Sequence, residues 1–466
     1  MPTSSNSVNY SANKNDMLFS AVSESVKGRL KDANLKFNHR YPGVPEGRQA
    51  VHTVYGGAQL FTAHTAGKMG ETALRSMAEY APDATALARG LGIDRDLFGH
   101  DLWQKVYDRV TGKIKAEAVE DFRIDFEDGY GNRPDEEEDG HAASAAKEVA
   151  IGMKEDTLPP FIGIRIKPFN QENIHRSVRT LDIFLGTLLR ETGNKLPENF
   201  VITLPKITVA AQSRALAELL SEAEKKRGMP KNSIKFEIMV EMPQIIIDDT
   251  GKSPLREIVD AGDGRCVGAH FGTYDYTAGC QITASFQTMA NPVCDFAKHV
   301  LQVSLATTDV MISDGATNVM PVGPHRAAKG TALSKQQADE NREVVYRAWQ
   351  LSYKHIRHSL ETGYYQGWDL HPAQLPVRYA AMYAFFLESF DSVSQRLKGF
   401  VEKAAKATLL GDVFDDAATG QGLLNFFLRG ISCGAITEAE ALRTGLTLDE
   451  IRSRSFLKIL QNRKIV

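Results

Sequence analysis

Two apolar runs that each deliver a carboxylate constrain this chain more than anything else in it. Residues 234–243 read IKFEIMVEMP and carry Glu241 near their end; residues 266–275 read CVGAHFGTYD and finish on Asp275. A charge closing an otherwise apolar strand is costly unless it is paired or bound to a metal. The two runs lie about one βα unit apart. That spacing predicts neighbouring parallel strands, each ending on a carboxylate, that hold one Mg²⁺ between them. Mg²⁺ prefers hard oxygen ligands, often one or two carboxylates, with water and substrate filling the rest.

The same strand-then-helix alternation runs through most of the chain. Apolar, β-branched runs fall at 50–56, 122–128, 160–167, 199–206, 234–243, 266–275, 308–322 and 365–371. Helix-patterned segments sit between them, among them 67–90, 143–153, 171–192, 208–226, 285–308 and 336–361. This alternation implies parallel strands with crossover helices, and the number of runs predicts an α/β fold closed as a (β/α)₈ TIM barrel. The seventh run is the most polar. A plain barrel needs about 250 residues, so a chain of 466 has more to place. The expected division is a polar tail and N-terminal helix over 1–48, the barrel over 49–376, and a helical C-terminal cap over 377–466.

Bulk properties exclude several function classes. A net charge of −3 gives no electrostatic case for nucleic acid or an anionic membrane. Cys266, Cys280, Cys294 and Cys433 show no metal-ligand spacing and read as reduced, packed thiols. The first residues are polar and lack a basic-then-apolar leader, and no apolar run approaches a membrane span. Together these point to a cytoplasmic protein.

Working residues of a barrel sit at the C-terminal ends of its strands, so polar residues there form a ring. Strand two contributes Asp125, Glu127 and Asp128, strand three Arg165, strand four Lys206, strands five and six Glu241 and Asp275, and strand eight His371. Each has a plainer reading. Glu241 and Asp275 could pair with Lys206, and Arg165 could bridge to the acids of strand two. Lys206 reads as a bridge between acids rather than a Schiff-base lysine, which needs an uncharged setting. His371 precedes proline and is most often a packed ring. The DEEED run from Asp135 reads as a solvated loop face.

The series DFEDGYG, GIRIK, LPK, VEMPQ, GTYDYT and GWDLHPAQ resembles the malate synthase, citrate lyase β-subunit and HpcH-type aldolase superfamily. GWDLHPAQLPV and FDDAATGQGLLNFF (414–427) are similar to the strand-eight segment and C-terminal catalytic loop of the malate synthases. The resemblance implies that Glu241 and Asp275 bind Mg²⁺ and that Arg165 sits beside a substrate carbonyl. Gly272, Thr273 and His371 would line the substrate, Asp416 would be the general base, and Asp125, Glu127, Asp128 and Lys206 would lie just behind. It implies a carbon–carbon lyase or condensing enzyme acting on a 2-oxo acid such as glyoxylate or pyruvate, or on its aldol or malyl-type adduct, in a homo-oligomer. The loop GTYDY departs from the Arg-Trp that malate synthases tend to carry before the aspartate, which leaves an acyl-coenzyme A partner open. Asp416 could instead cap the helix that starts at Ala417. Two rival readings stay open: a coenzyme-independent class II pyruvate aldolase, and a barrel that binds a small acid without turnover.

Overall fold

A computed structural model describes residues 20–43, 47–93, 100–402, 408–410, 413–415 and 417–463. Eight parallel strands form one sheet: β1 (His52–Gly57), β2 (Asp121–Asp125), β3 (Phe161–Arg165), β4 (Phe200–Leu204), β5 (Lys235–Val240), β6 (Cys266–Phe271), β7 (Met311–Ser313) and β8 (Gly367–Asp369). They lie in the order β7-β6-β5-β4-β3-β2-β1-β8. The segment just after β7 meets β8 at the seam, where Ala316 bridges to Trp368 and the Trp368 amide donates to the Gly315 carbonyl at 3.0 Å. The result is the expected TIM-type barrel, nearly closed.

Period-two alternation decides which side chains enter the lumen. On β2, Phe122 and Ile124 alternate with Asp121, Arg123 and Asp125, and all five are buried. The polar set reaches across the barrel. Arg123 Nε donates to Glu237 Oε1 on β5 at 2.8 Å and to Thr203 Oγ1 on β4 at 3.1 Å. His270 on β6 places Nε2 2.9 Å from Glu237 Oε2, and Trp368 Nε1 on β8 donates to His270 Nδ1 at 3.2 Å. Buried charges of this kind are tolerable only when paired and hydrogen-bonded, as here. Gly163 gives the network its room: a Cβ there would fall 3.3 Å from the Arg123 side chain and far too close to the Val201 carbonyl.

The long helix Leu375–Glu402 follows β8 and packs against the helix His100–Glu117, where the Tyr379 hydroxyl donates to the Ala118 carbonyl at 3.0 Å. The helix Ala417–Ser432 then lays Phe426 and Phe427 edge-on against Phe386 and Phe390. Short helices with Thr437 and Thr447 capping boxes complete a helical C-terminal region. At the other end, the helix Ser20–Arg40 is rooted by Arg40, whose Nη1 donates to Asp260 at 2.6 Å.

Three local expectations change. β6 stops at Phe271, and Asp275 lies in the first turn of the helix Thr273–Gly279 rather than at a strand end. β7 keeps three residues of the expected 308–322, because the polar, Gly- and Pro-bearing remainder leaves the sheet as a loop. The DEEED run opens the helix Asp135–Glu155, where acidic side chains favour the positive end of the helix dipole. One of its members, Glu138, is buried and accepts from Lys167 Nζ at 2.6 Å and Thr180 Oγ1 at 2.6 Å.

Candidate active site at the barrel mouth

Glu241 directly follows β5 and is 1 % exposed. Its Oε1 accepts the backbone N–H of Lys206 at 2.7 Å. Lys206 itself adopts a left-handed backbone, φ +48°. The chain is equally tight on the other side of Glu241. Gly272, at the end of β6, lies against it so closely that no side chain fits there. Burial, and then the nearby charges of Glu127 and Asp275, push the Glu241 carboxyl up to about 8. A divalent cation between Glu241 and Asp275 would relieve that repulsion.

Arg165 ends β3 and is buried. Its Nε donates to Asp125 Oδ1 at 2.7 Å and its Nη2 to Asp125 Oδ2, a two-point grip that fixes the plane of the guanidinium. Nη1 faces Glu127 Oε2 at 3.0 Å and Met239 Sδ at 3.7 Å. The Tyr55 ring lies 4.7 Å from the guanidinium carbon, and Trp368 packs on Tyr55 with ring centroids 4.7 Å apart. Burial opposes the Arg165 charge, but Asp125 and Glu127 outweigh it and hold the group protonated.

Lys206 joins the two halves of the site. Its Nζ donates to Glu127 Oε1, to both Asp128 oxygens at 3.2 Å, and lies 3.8 Å from Asp275 Oδ2. The ring inferred from the sequence is therefore assembled around one point: Asp125, Glu127 and Asp128 after β2, Arg165 on β3, Lys206 after β4, Glu241 after β5 and Asp275 after β6. Thr273 is buried there too, and its Oγ1 makes no hydrogen bond. His371 stands apart in its bonding: Nδ1 accepts the Ala373 amide at 3.1 Å and caps a short 3₁₀ turn. Asp416 lies outside the described residues.

No group of three or more His, Cys, Asp or Glu side chains converges as a metal cage among the described residues. Glu241 and Asp275 at the mouth are nonetheless hard oxygen donors of the kind Mg²⁺ takes, often one or two to an ion.

A family model described as "Domain of unknown function (DUF6986)" matches residues 30–459. The chain belongs to the DUF6986 family. No curated protein matches its sequence. Among solved structures, a citrate lyase from Burkholderia xenovorans LB400 matches this DUF6986 chain with a TM-score of 0.50 and 16% identity, over 72% of this chain and 92% of that one. A Haloferax volcanii malate synthase, solved as a pyruvate/acetyl-CoA ternary complex, aligns at 12% identity and TM-score 0.43 over 90% and 99% of the two chains. The CitE protein of Mycobacterium tuberculosis, in complex with magnesium and pyruvate, aligns at 17% identity and TM-score 0.36 over 59% and 86%. At these identities the likeness is one of fold: the chain shares the barrel of the citrate lyase structure.

Tyr55, Met239 and Trp368, which build the floor beneath Arg165, were not singled out from the sequence. A signal was present: Glu237, Met239 and Glu241 share one period-two face of β5, as do Asp121, Arg123 and Asp125 on β2.

Proposed function

We propose that this protein is a Mg²⁺-dependent carbon–carbon lyase or condensing enzyme that acts on a small 2-oxo acid or its aldol or malyl-type adduct. The observation that supports this reading is Glu241, which feels the charges of both Asp275 and an Arg165 guanidinium that Asp125 holds at two points. Glu241 and Asp275 would hold the ion, which when bound supplies Lewis-acid polarisation of the keto carbonyl. The Asp125 grip keeps Arg165 from rotating, and Nη1, which now faces Glu127 Oε2 and Met239 Sδ, would be the nitrogen that turns to an oxygen gaining negative charge. The buried Thr273 hydroxyl has no hydrogen-bond partner of its own, and on this reading it would turn to a substrate carboxylate. Tyr55 and Trp368 close the lumen beneath Arg165 and keep water from approaching from below.

Bond formation needs a base over the partner's α-carbon, and bond cleavage needs the corresponding acid. Asp416 is the residue the sequence resemblance nominates. The partner would be an enolisable acyl group, an acyl-coenzyme A being one candidate form. The experiment is NMR detection of α-proton exchange and of carbon–carbon bond formation or cleavage. Pyruvate, glyoxylate, malyl-type adducts and short acyl-coenzyme A esters are each tried with and without Mg²⁺. Metal-dependent turnover that is lost in Asp416→Asn is expected. Absence of both turnover and Mg²⁺-dependent binding of any 2-oxo acid would remove the reading.

A further inference from the structure

Arg429 is a guanidinium without an acid. It sits in the last turn of the helix Ala417–Ser432, partly buried against the barrel. The cations buried in the body of the chain, Arg123, Arg165, Arg265, Lys298 and Arg378, each meet a carboxylate, as buried charges must. Arg429 meets none among the described residues. Its Nη1 donates to the Gln49 amide oxygen at 2.5 Å, and the centre of the Tyr365 ring lies 4.9 Å from the guanidinium carbon. Burial, joined by the charge of Arg454, pulls its pKa below the ordinary arginine value. The negative end of its own helix offsets part of this, but that effect is small against the cost of taking an ion out of water.

Gln49 is itself held in place. Its amide nitrogen donates to the Ile312 carbonyl and to Gln366 Oε1, both at 3.1 Å. A guanidinium carries five N–H donors. Gln49 takes one of those on Arg429, and no other hydrogen bond reaches this guanidinium among the described residues.

These groups border a cavity of about 170 Å³. Gln49, Val310 and Tyr365 come shortly before β1, β7 and β8, so the cavity lies at the foot of the barrel, opposite the mouth. Leu305, Val310 and Met311 give it apolar walls. One cation among such walls suits one negative charge, and a dianion would bring in a second with no partner. The planar fork of a guanidinium matches the two oxygens of a carboxylate. An apolar cavity of about 150 Å³ holds benzene, so a body of that size fits here.

The geometry points to a second ligand site at the foot of the barrel, where Arg429 binds the carboxylate of a small monocarboxylic acid whose apolar body lies along Leu305, Val310 and Met311. This site is independent of the mouth and of the roles given to Glu241 and Asp275.

The test is calorimetric titration of the full chain with benzoate in the presence of a chelator, so that no metal ion at the mouth takes part. Saturable binding of one benzoate per chain is expected. Arg429→Gln removes the charge and should weaken binding about tenfold or more, the loss of one charge-assisted contact. Val310→Phe fills the cavity, keeps the guanidinium and should weaken binding as well; it decides the matter if Arg429→Gln does not fold. Arg165→Lys, at the mouth, should bind benzoate as the parent does. Benzyl alcohol and inorganic phosphate should bind more weakly than benzoate or not at all. Absence of saturable binding overturns the inference, as does binding unchanged in either foot variant. Loss of binding in Arg165→Lys, which places the acid at the mouth, also overturns it, and so does phosphate binding as tightly as benzoate.

Discussion

A side chain added at Gly272 would place its first carbon 2.5 Å from Oε2 and 2.6 Å from Cβ of Glu241. Real carbon atoms do not approach so closely, so one of the two must move. Glu241 is held from the other side by the Lys206 amide at 2.7 Å and has nowhere to retreat. Gly272→Ala is expected to destabilise the protein by about 1–3 kcal/mol, the usual range for overpacking, and to weaken Mg²⁺ binding by tilting the carboxylate. Chemical denaturation and metal titration of the same variant check both effects. An unchanged denaturation midpoint would show that the Glu241 side chain is not confined as described.

The two-point grip of Asp125 on Arg165 makes lysine a poor replacement. An ammonium is a point charge and cannot match both carboxylate oxygens while also reaching Glu127. Arg165→Lys is expected to keep the fold but lower turnover by about 10²-fold or more, the size of effect seen when one transition-state donor is lost. Arg165→Ala should be worse for stability, by about 3–5 kcal/mol, because it leaves Asp125 and Glu127 buried without a partner. Thermal melts of the two variants separate charge from geometry: similar losses of stability in both would contradict the account.

How much of this was legible in the sequence depended on whether the signal was local. Apolar β-branched runs such as FVITL in β4 and FIGIR in β3 announce buried parallel strands on their own, and both lie where expected. Charged residues at the ends of such runs were equally readable: Arg165 ends β3 and Glu241 directly follows β5. Asp275 was assigned to the right region but the wrong element. GTYDYT has strand-like composition, and only Gly272 marks the break before a helix of seven residues. The lumen network was harder. That Arg123 would meet Glu237 and His270 is a fact about strands that close on one another, and no short window contains it. The DEEED run misled because a charge run looks the same on a loop or a helix end. Only the packing of Lys167 and Thr180 distinguishes the buried Glu138 from its solvated neighbours.

Metal binding should register as stability. A ligand that binds the folded chain alone contributes about 2.7 kcal/mol at a hundred times its dissociation constant. Saturating Mg²⁺ is expected to raise the urea midpoint of the parent chain. Glu241→Gln retains the shape and the Lys206 hydrogen bond but loses the charge, so its midpoint should not respond to Mg²⁺. Asp275→Asn should respond weakly, since it removes the exposed carboxylate and leaves the buried one, Glu241. An equal Mg²⁺ response in the parent and in Glu241→Gln would place the ion elsewhere.

Two buried histidines away from the mouth give the fold a predictable acid sensitivity. His52 is fully buried on β1. Its Nε2 accepts the Glu120 amide at 3.0 Å, so the proton sits on Nδ1, which faces Asp369 Oδ2 at 3.5 Å. Burial, only partly offset by Asp369 and Glu120, pushes its pKa down to about 4. His355, bonded to Thr317 at 2.9 Å and Thr288 at 3.1 Å, is likewise pushed by burial to about 4. Both rings are neutral in the folded chain and take a proton near pH 6.5 once unfolded. The unfolded state therefore binds more protons between about pH 6.5 and 4, and folding stability falls as pH drops through that window. Above it the two rings contribute no pH dependence, and below about pH 4 their effect levels off. Each ring accounts for a slope of about 1.4 kcal/mol per pH unit, and about 3 kcal/mol across the window. His52→Gln should lower stability at pH 7 but flatten the acid slope by about one proton, and His52→Gln with His355→Gln by about two. Denaturant midpoints measured from pH 4 to 8 read the slope directly. A slope unchanged by either substitution would mean that the rings are protonated in the folded protein and that the Nδ1 tautomer assigned to His52 is incorrect.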